Sequence, residues 1–393
     1  MKLRICYVVP DVHIPNVRGA STHVLELSLA FSRLGDEVHV ICRRSPHEKG
    51  EEIYSGISLH RLYRGVIGPL SRREALVAEG KNELGVTSLG YSLYLKSIYS
   101  LYAGLETSYI AKVNRSDFII ERETAFGAGA LASKLLRKPL VLELIGPKYS
   151  QISMSESKFV IAYNEKMVPE YAKSKTIYVK AAVNTTLFRP DRRAREAVRK
   201  MLGMDDATMI VGYVGTFQSW HGIDDLVRVA EHFRTRKDVK FLLVGPLHTS
   251  ASNSYKTENI IMTGPVPYPL VYRYINAFDI AVAPYNLTRS TGERRSKGMG
   301  SPLKVLEYMA CAKPCVASSV KQVTEILEDG FTGKIYPEGD VHSLAVKIEE
   351  LLKDEDERRR IGENALRVAQ SYTWDKLAEK IHASIESHLK FRN

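Results

Sequence analysis

Gly300-Ser301-Pro302-Leu303-Lys304-Val305-Leu306-Glu307-Tyr308-Met309-Ala310-Cys311 has the pattern of a loop feeding a helix. Ser301 followed by Pro302 predicts a helix start, with serine as the N-cap and proline at the first helical position, where its missing N–H costs nothing. Leu303, Leu306 and Ala310 then share one face at one-turn spacing, and Lys304, Glu307 and Tyr308 are expected to point elsewhere. Lys313-Pro314-Cys315-Val316-Ala317-Ser318 follows as a short apolar run of the kind that forms a buried parallel strand. A loop feeding a helix N-terminus presents free N–H groups and a positive dipole end, which suits an anion such as a diphosphate. Lys304 adds a formal charge there. Glu307, one turn further on, has the lone pairs to accept two hydroxyl hydrogen bonds, as a ribose would supply. A capped surface helix with a solvated Lys–Glu pair accounts for the same residues.

Outward from this stretch the chain alternates strand and helix twice over. Leu3 to Val9 reads as a strand, Ser21 to Leu34 as a helix closed by Gly35, and Glu37 to Cys42 as a second strand, a βαβ opening. Gly19 marks the strand-to-helix turn, but no full G-x-G-x-x-G accompanies it. Ile53 to Tyr63 reads as a strand or hairpin. Val86 to Leu105 carries only Lys96 as a charge and places Tyr91, Tyr94, Tyr99 and Tyr102 among leucines. It reads as a helix either buried on most sides or meeting a lipid-like acceptor, with Arg61, Arg64, Arg72 and Arg73 as a basic flank. Asp117 to Glu121, Pro139 to Leu144, Phe159 to Ala162 and Thr176 to Val179 continue a parallel sheet. The pattern lapses near Ala181 to Asp191, and a fresh strand begins at Met209. This divides the chain into a first α/β domain at 1–185, a second at 186–372, and a terminal helix at 373–393 expected to pack back on the first.

The composition is that of a globular chain, with 44% hydrophobic and 26% charged residues among 393. The net charge of +11 favours anionic partners, and no nucleic-acid motif accompanies it. Cys6, Cys42, Cys311 and Cys315 fall in apolar runs and read as reduced core thiols, not as a disulfide framework or zinc site. No targeting segment and no run of about eighteen apolar residues is recognisable, so a cytoplasmic location is expected, at the inner face of the membrane if the Tyr/Leu segment makes peripheral contact.

Five segments in series carry a resemblance. They are Gly19 to Leu27 with Leu34 to Val40; Val183 to Pro190; Val211 to Phe217 with Trp220-His221-Gly222; Ser301 to Ala310 with Lys313-Pro314; and the turns at Glu325, Gly330, Gly333 and Asp340. In that order they resemble the retaining glycosyltransferases of family 4, over nearly the whole chain. The resemblance implies a GT-B fold, two Rossmann-like doubly wound domains facing each other across a cleft. It further implies a metal-independent hexosyltransferase that needs no cofactor beyond a nucleotide-diphosphate sugar as co-substrate. Its partners would be that donor and a glycan or lipid-linked acceptor held by the first domain. Donor contacts would come from Gly19, Gly215, Thr216, Ser301, Pro302, Leu303 and Glu307, and no metal site is expected. Thr216 and His221 stand where many members have a phosphate-binding arginine and lysine, so Lys304 and His221 are expected to replace that clamp and to carry the catalytic charge. Met299 replaces the first carboxylate of a Glu-x7-Glu pattern. Ile145 replaces a histidine common at the end of the first sheet, with Glu143 two residues earlier. Ala312 stands where a helix-ending glycine is usual, a strain of about 1–2 kcal/mol if its backbone is left-handed.

Two other classes fit the same residues. A sugar-nucleotide epimerase of this fold would need acid/base groups around the sugar, which Met299 and Ile145 thin out. A non-catalytic sugar-nucleotide-binding subunit would explain the altered phosphate residues. His23 reads as a structural residue or a base, and Glu143 as a catalytic or a buried, hydrogen-bonded carboxylate.

Overall fold

The computed structural model describes residues 2–16, 19–44, 48–62, 98–123, 126–146, 148–246, 257–290 and 301–390, with side chains through 387. The segment 86–97, Arg64, Arg72, Arg73, Met299 and Gly300 lie outside them. The chain divides into two compact units, Met1–Pro15 with Ala20–Val179 and Asp375–Asn393, and Asn16–Gly19 with Lys180–Trp374.

In the first unit the elements run β1 (Arg4–His13), α1 (Gly19–Arg33), β2 (Glu37–Arg43), β3 (Glu51–Tyr54), β4 (Ile57–Leu62), α2 (Ser100–Val113), β5 (Phe118–Arg122), α3 (Ala128–Leu136), β6 (Leu140–Leu144), α4 (Gln151–Glu156), β7 (Phe159–Ala162) and β8 (Thr176–Tyr178). The sheet order is β3-β4-β2-β1-β5-β6-β7-β8. Its pairs are parallel apart from the β3–β4 hairpin. Strands buried on both faces must be apolar throughout. Tyr7, Val8 and Val9 of β1 and Phe118, Ile119 and Ile120 of β5 are fully buried.

The second unit runs α5 (Arg192–Met201), β9 (Met209–Val214), α6 (Ile223–His232), β10 (Val239–Val244), β11 (Ile260–Gly264), α7 (Tyr268–Ala277), β12 (Ile280–Ala283), α8 (Leu303–Ala310), β13 (Cys315–Ser318), α9 (Lys321–Thr324), β14 (Lys334–Tyr336), α10 (Val341–Lys353) and α11 (Glu355–Ala369). Its sheet is parallel in the order β11-β10-β9-β12-β13-β14. The basic run after Asp191 is α5, capped by the Asp191 carboxylate on the Ala194 N–H at 2.9 Å. Arg195 and Arg199 pin it to Asp279 at the start of β12, at 2.7 and 3.2 Å. The last helix, α12 (Trp374–Lys390), ties into the first unit through Arg33–Asp375, His382–Asp36 and a Lys380 bond to the Tyr178 carbonyl.

The four cysteines are free and buried, as their apolar surroundings imply. Arg61 departs from its expected place in a basic surface flank. It is buried, donates to the Ile14 carbonyl at 3.1 Å and pairs with Glu52 at 2.6 Å, because β4 turns it into the sheet. Among the described residues no helix is long and apolar enough to cross a membrane.

Candidate active site at the reversal of the second sheet

The second unit's chain runs outward from β9 through β10 and β11, then returns to lay β12 on the other side of β9. Strand order reverses there, and open parallel sheets bind ligands in the crevice beyond the carboxyl ends of the strands at such a point. The loop after β9 contains Gly215, Thr216 and His221, and the loop after β12 contains Tyr285. Lys304 reaches the same place from α8. Its Nζ donates to the Tyr213 hydroxyl at 2.8 Å and lies 4.3 Å from the centre of the Tyr213 ring and 5.0 Å from that of Tyr285.

Gly215 is required by this arrangement. Its φ is 140°, and a Cβ there would stand 2.9 Å from Lys304 Nζ and 3.0 Å from the Tyr213 hydroxyl. Tyr213 in turn donates to the Thr216 carbonyl at 2.9 Å. His221 closes the loop: its Nδ1 donates to the same carbonyl, which leaves Nε2 as the other ring nitrogen. The imidazole packs edge-on to Trp220 and Tyr285, with centroids 3.9 and 5.8 Å away. Gly222 follows with φ 70°, and a Cβ on it would overlap the Pro284 carbonyl.

Burial changes what Lys304 is. The side chain is enclosed, and this pushes its pKa down to about 7, against the opposing pull of Glu307. The lysine is therefore not the permanent solvated charge that the sequence suggests. It is an ammonium held half-charged near neutrality, where the arrival of an anion would complete its protonation. The cation–π contacts favour the charged form without offsetting the loss of water.

The helix start also differs from expectation. Pro302 occupies the cap position with φ −85° and ψ 64°, α8 begins at Leu303, and the Val305 N–H bonds the Pro302 carbonyl at 3.0 Å. Ser301 falls one residue too early to cap, and its hydroxyl is buried without a hydrogen bond among the described residues. Nor does α8 have a solvated face. Every residue from Lys304 to Ala310 is buried, because α7, α11, β12 and β13 all pack against the helix. The Tyr308 hydroxyl accepts the Val214 N–H at 2.8 Å, and Glu307 is buried one turn above Lys304. Ala312 is left-handed, with φ 55°. Lys313 N–H bonds the Tyr308 carbonyl and Ala312 N–H the Met309 carbonyl, closing a Schellman motif on alanine. Gly19 simply opens α1 and is not among the residues with positive φ.

In the first unit His23 and Glu143 form a buried pair. Their Nε2–Oε1 distance is 2.9 Å, Tyr163 donates to Glu143 at 3.2 Å, and Tyr7 donates to its other oxygen. Burial alone would raise the Glu143 pKa, but His23, Tyr7 and Arg122 hold it below the usual carboxylate value. Arg122 and Glu123 lie beside this group at the carboxyl end of β5.

The motif reading reached Lys304, Glu307, Gly215, Thr216 and His221, and the structure gathers Lys304, Gly215, Thr216 and His221 around one loop. It missed Tyr213, Tyr285 and Trp220, which read as ordinary strand and loop aromatics. It also missed Arg122 and Glu123, although Glu121-Arg122-Glu123 ending a run of Phe118-Ile119-Ile120 is a visible signal. Three charges in succession at the end of a fully buried strand need a reason.

Two parallel-sheet α/β units, each with polar groups where its strand order reverses, define the class of GT-B proteins. The chain matches the family described as glycosyl transferases group 1 over residues 194–368 and glycosyltransferase family 4 over residues 17–144. It is 23% identical to N-acetyl-alpha-D-glucosaminyl L-malate synthase of Bacillus anthracis, covering 93% of this chain and 91% of the relative. Among solved structures, sucrose-phosphate synthase from Thermosynechococcus elongatus superposes with a TM-score of 0.76 at 18% identity, covering 99% and 100% of the two chains. Anabaena HepE in complex with UDP-glucose superposes with a TM-score of 0.68 at 17% identity, covering 98% and 100%. The chain belongs to the GT-B glycosyltransferases of the family 4 type.

Proposed function

We propose that the protein is a retaining, metal-independent hexosyltransferase that uses a nucleotide-diphosphate sugar and needs no further cofactor. The observation that carries this reading is the buried Lys304 ammonium between Tyr213 and Tyr285, beside the glycine turn after β9. In such a transfer the bond between the anomeric carbon and the phosphate lengthens, and negative charge grows on the leaving diphosphate. A preorganised donor aimed at that charge favours the transition state over the ground state. Lys304 from α8 and His221 from the loop after β9 would supply such donors, the first α8 amides would add partial charge, and Glu307 would receive the ribose. HepE has been solved with UDP-glucose, which supports a nucleotide-sugar donor here as well.

The test is turnover of UDP-glucose, UDP-N-acetylglucosamine and GDP-mannose with excess EDTA, with the product anomer read by NMR. An inverted anomer, or activity lost to EDTA and restored by Mg2+, would overturn the mechanism. Donor converted without any acceptor would favour an epimerase. Binding without turnover in every acceptor screen would favour a non-catalytic subunit.

A glycan or lipid-linked acceptor is supported by α2. Leu101, Leu105, Tyr109 and Val113, four residues apart, are each more than half exposed along one face, and Ile98 just before the helix is exposed as well. Peripheral contact with an anionic bilayer fits that face and the net charge of +11. Liposome co-sedimentation that rises with anionic lipid and falls with salt would support it, and no binding at low salt would remove it.

A further inference from the structure

The first sheet repeats the geometry of the second. Its chain runs outward from β1 through β2 and β4, and β5 returns to the other side of β1. The reversal lies between β1 and β5, and Arg122 and Glu123 close the carboxyl end of β5 beside it.

Arg122 is buried but poorly served. Among the described residues its guanidinium donates once, to the Ala20 carbonyl at 3.3 Å, and its Nε stands 3.7 Å from Glu123 Oε2, too long for a hydrogen bond. Arg199, equally buried in the second unit, shows what a structural arginine acquires. It donates to the carbonyls of Ala277, Asp205 and Thr208 and to the Asp279 carboxylate. Glu121, one residue before Arg122, is likewise saturated by the Gly127 and Ala130 N–H groups and the Ser153 hydroxyl. Buried polar groups are ordinarily satisfied, so Arg122 lacks partners that its neighbours have.

Glu123 complements it. Oε2 accepts the Ile145 N–H at 3.1 Å, and Oε1 faces the space left by the missing side chain of Gly146, where a Cβ would stand 3.2 Å away. Carboxylates outnumber the arginine here. Arg122 faces Glu123, Glu143 and Asp11, Glu143 is shared with His23, and Tyr7 and Tyr163 supply hydroxyls from β1 and beyond β7. A formally anionic ligand would meet two carboxylates here. A neutral polyol would satisfy unused guanidinium N–H groups and the remaining lone pairs of the Glu123 carboxylate together.

We propose that Arg122 and Glu123 form the acceptor-binding position of the first unit and grip adjacent hydroxyls of a neutral sugar, the guanidinium donating and the carboxylate accepting. The proposal rests on the transferase reading and names the acceptor's chemistry within it. The Glu143–His23–Tyr7–Tyr163 group acts behind the pair as a brace. Burial, only partly offset by Arg122, pushes the Glu123 pKa up to about 7, so the accepting form predominates above neutrality.

Saturation-transfer NMR on the full chain tests this, with methyl α-D-glucopyranoside and methyl α-D-mannopyranoside as neutral probes and glucuronate as the anionic one. UDP-sugar binding is measured in parallel. A neutral glycoside should bind at pH 8 and weaken about tenfold or more in Arg122→Lys and Glu123→Gln, with donor affinity unchanged. Binding should also weaken as pH falls from 8 to 6, and this dependence should vanish in Glu123→Gln. Gly146→Ala, which fills the space before Oε1 without changing a charge, should weaken the probe as well and guards against misfolding of the charge variants. Binding of glucuronate alone, of no glycoside, or of glycosides equally by all three variants overturns the proposal. Failure of every UDP- or GDP-sugar to bind would instead strike at the transferase reading.

Discussion

If Lys304 is half-neutral in the free protein and must be an ammonium beside a diphosphate, donor binding must take up a proton. The free-state pKa of about 7 sets the size of the effect. At pH 8 roughly nine-tenths of the molecules carry neutral Lys304, so about 0.9 proton should enter per donor bound, against about 0.1 at pH 6. Between pH 7 and pH 9 the charged fraction drops about 50-fold, and donor affinity should drop by the same factor, about 2.3 kcal/mol. A nucleotide-sugar is the right probe because both its phosphates keep one charge across this range. Calorimetry in buffers of different ionisation enthalpy reads the proton count directly. In Lys304→Met the uptake should vanish and affinity should become flat with pH. Uptake absent from the native protein at pH 8, or retained in Lys304→Met, would refute the argument. Retention there with loss in His221→Gln would transfer the titration to the imidazole.

The same burial acts on stability with a fixed sign. The pKa of Lys304 lies below its unfolded value of 10.5, so between about 10.5 and 7 the unfolded chain binds more protons. Stability should therefore fall as pH falls through that window, by on the order of 4–5 kcal/mol from this group, with no further loss below it. Lys304→Met should flatten that slope in denaturant melts.

Glu307→Gln should weaken donor binding by about 1.5–3 kcal/mol, the range for a hydrogen bond to a charged group, and unchanged affinity in a folded variant would remove its ribose role. Gly215→Ala puts a methyl carbon against Lys304 Nζ and strains a φ of 140°, so donor affinity should fall at least tenfold; normal binding would mean that the turn does not govern the lysine. Ala312→Gly should stabilise the fold by about 0.5–1 kcal/mol, because relief of about 1–2 kcal/mol of left-handed strain exceeds the extra unfolded-state entropy of glycine. A lower melting temperature in Ala312→Gly would show that the alanine is not strained.

What could be read in advance follows from what is local. Parallel strands announce themselves because both faces are buried, and β1, β5, β9 and β13 were each visible as apolar runs. A left-handed Ala312 follows from the sequence only as a condition, from the glycine usual at that place in the resembling family, and its φ of 55° meets that condition. Helical periodicity failed at α8 for a physical reason. It assumes one buried face, and a helix packed on every side buries Lys304, Glu307 and Tyr308 whatever their spacing. The tyrosines around Lys304 come from β9 and the loop after β12, separated by some seventy positions, and only the return of β12 beside β9 brings them together.

That return recurs in the first sheet, and each reversal carries a buried cation, Lys304 in one and Arg122 in the other. The two differ in their surroundings, and the difference decides what each can hold. Lys304 has the aromatic faces of Tyr213 and Tyr285 and, among the carboxylates, Glu307 acting on it, so the pocket is short of negative charge and an anion is its natural complement. Arg122 stands among Glu123, Glu143 and Asp11, so an anion would be repelled where hydroxyls are not. On the two proposals, a single architecture would yield a site for a diphosphate in one unit and for an uncharged polyol in the other. The choice of cation fits this division. A lysine loses its proton readily when buried and regains it with the ligand, whereas an arginine stays charged and offers a fixed fork of donors whether or not the acceptor is bound.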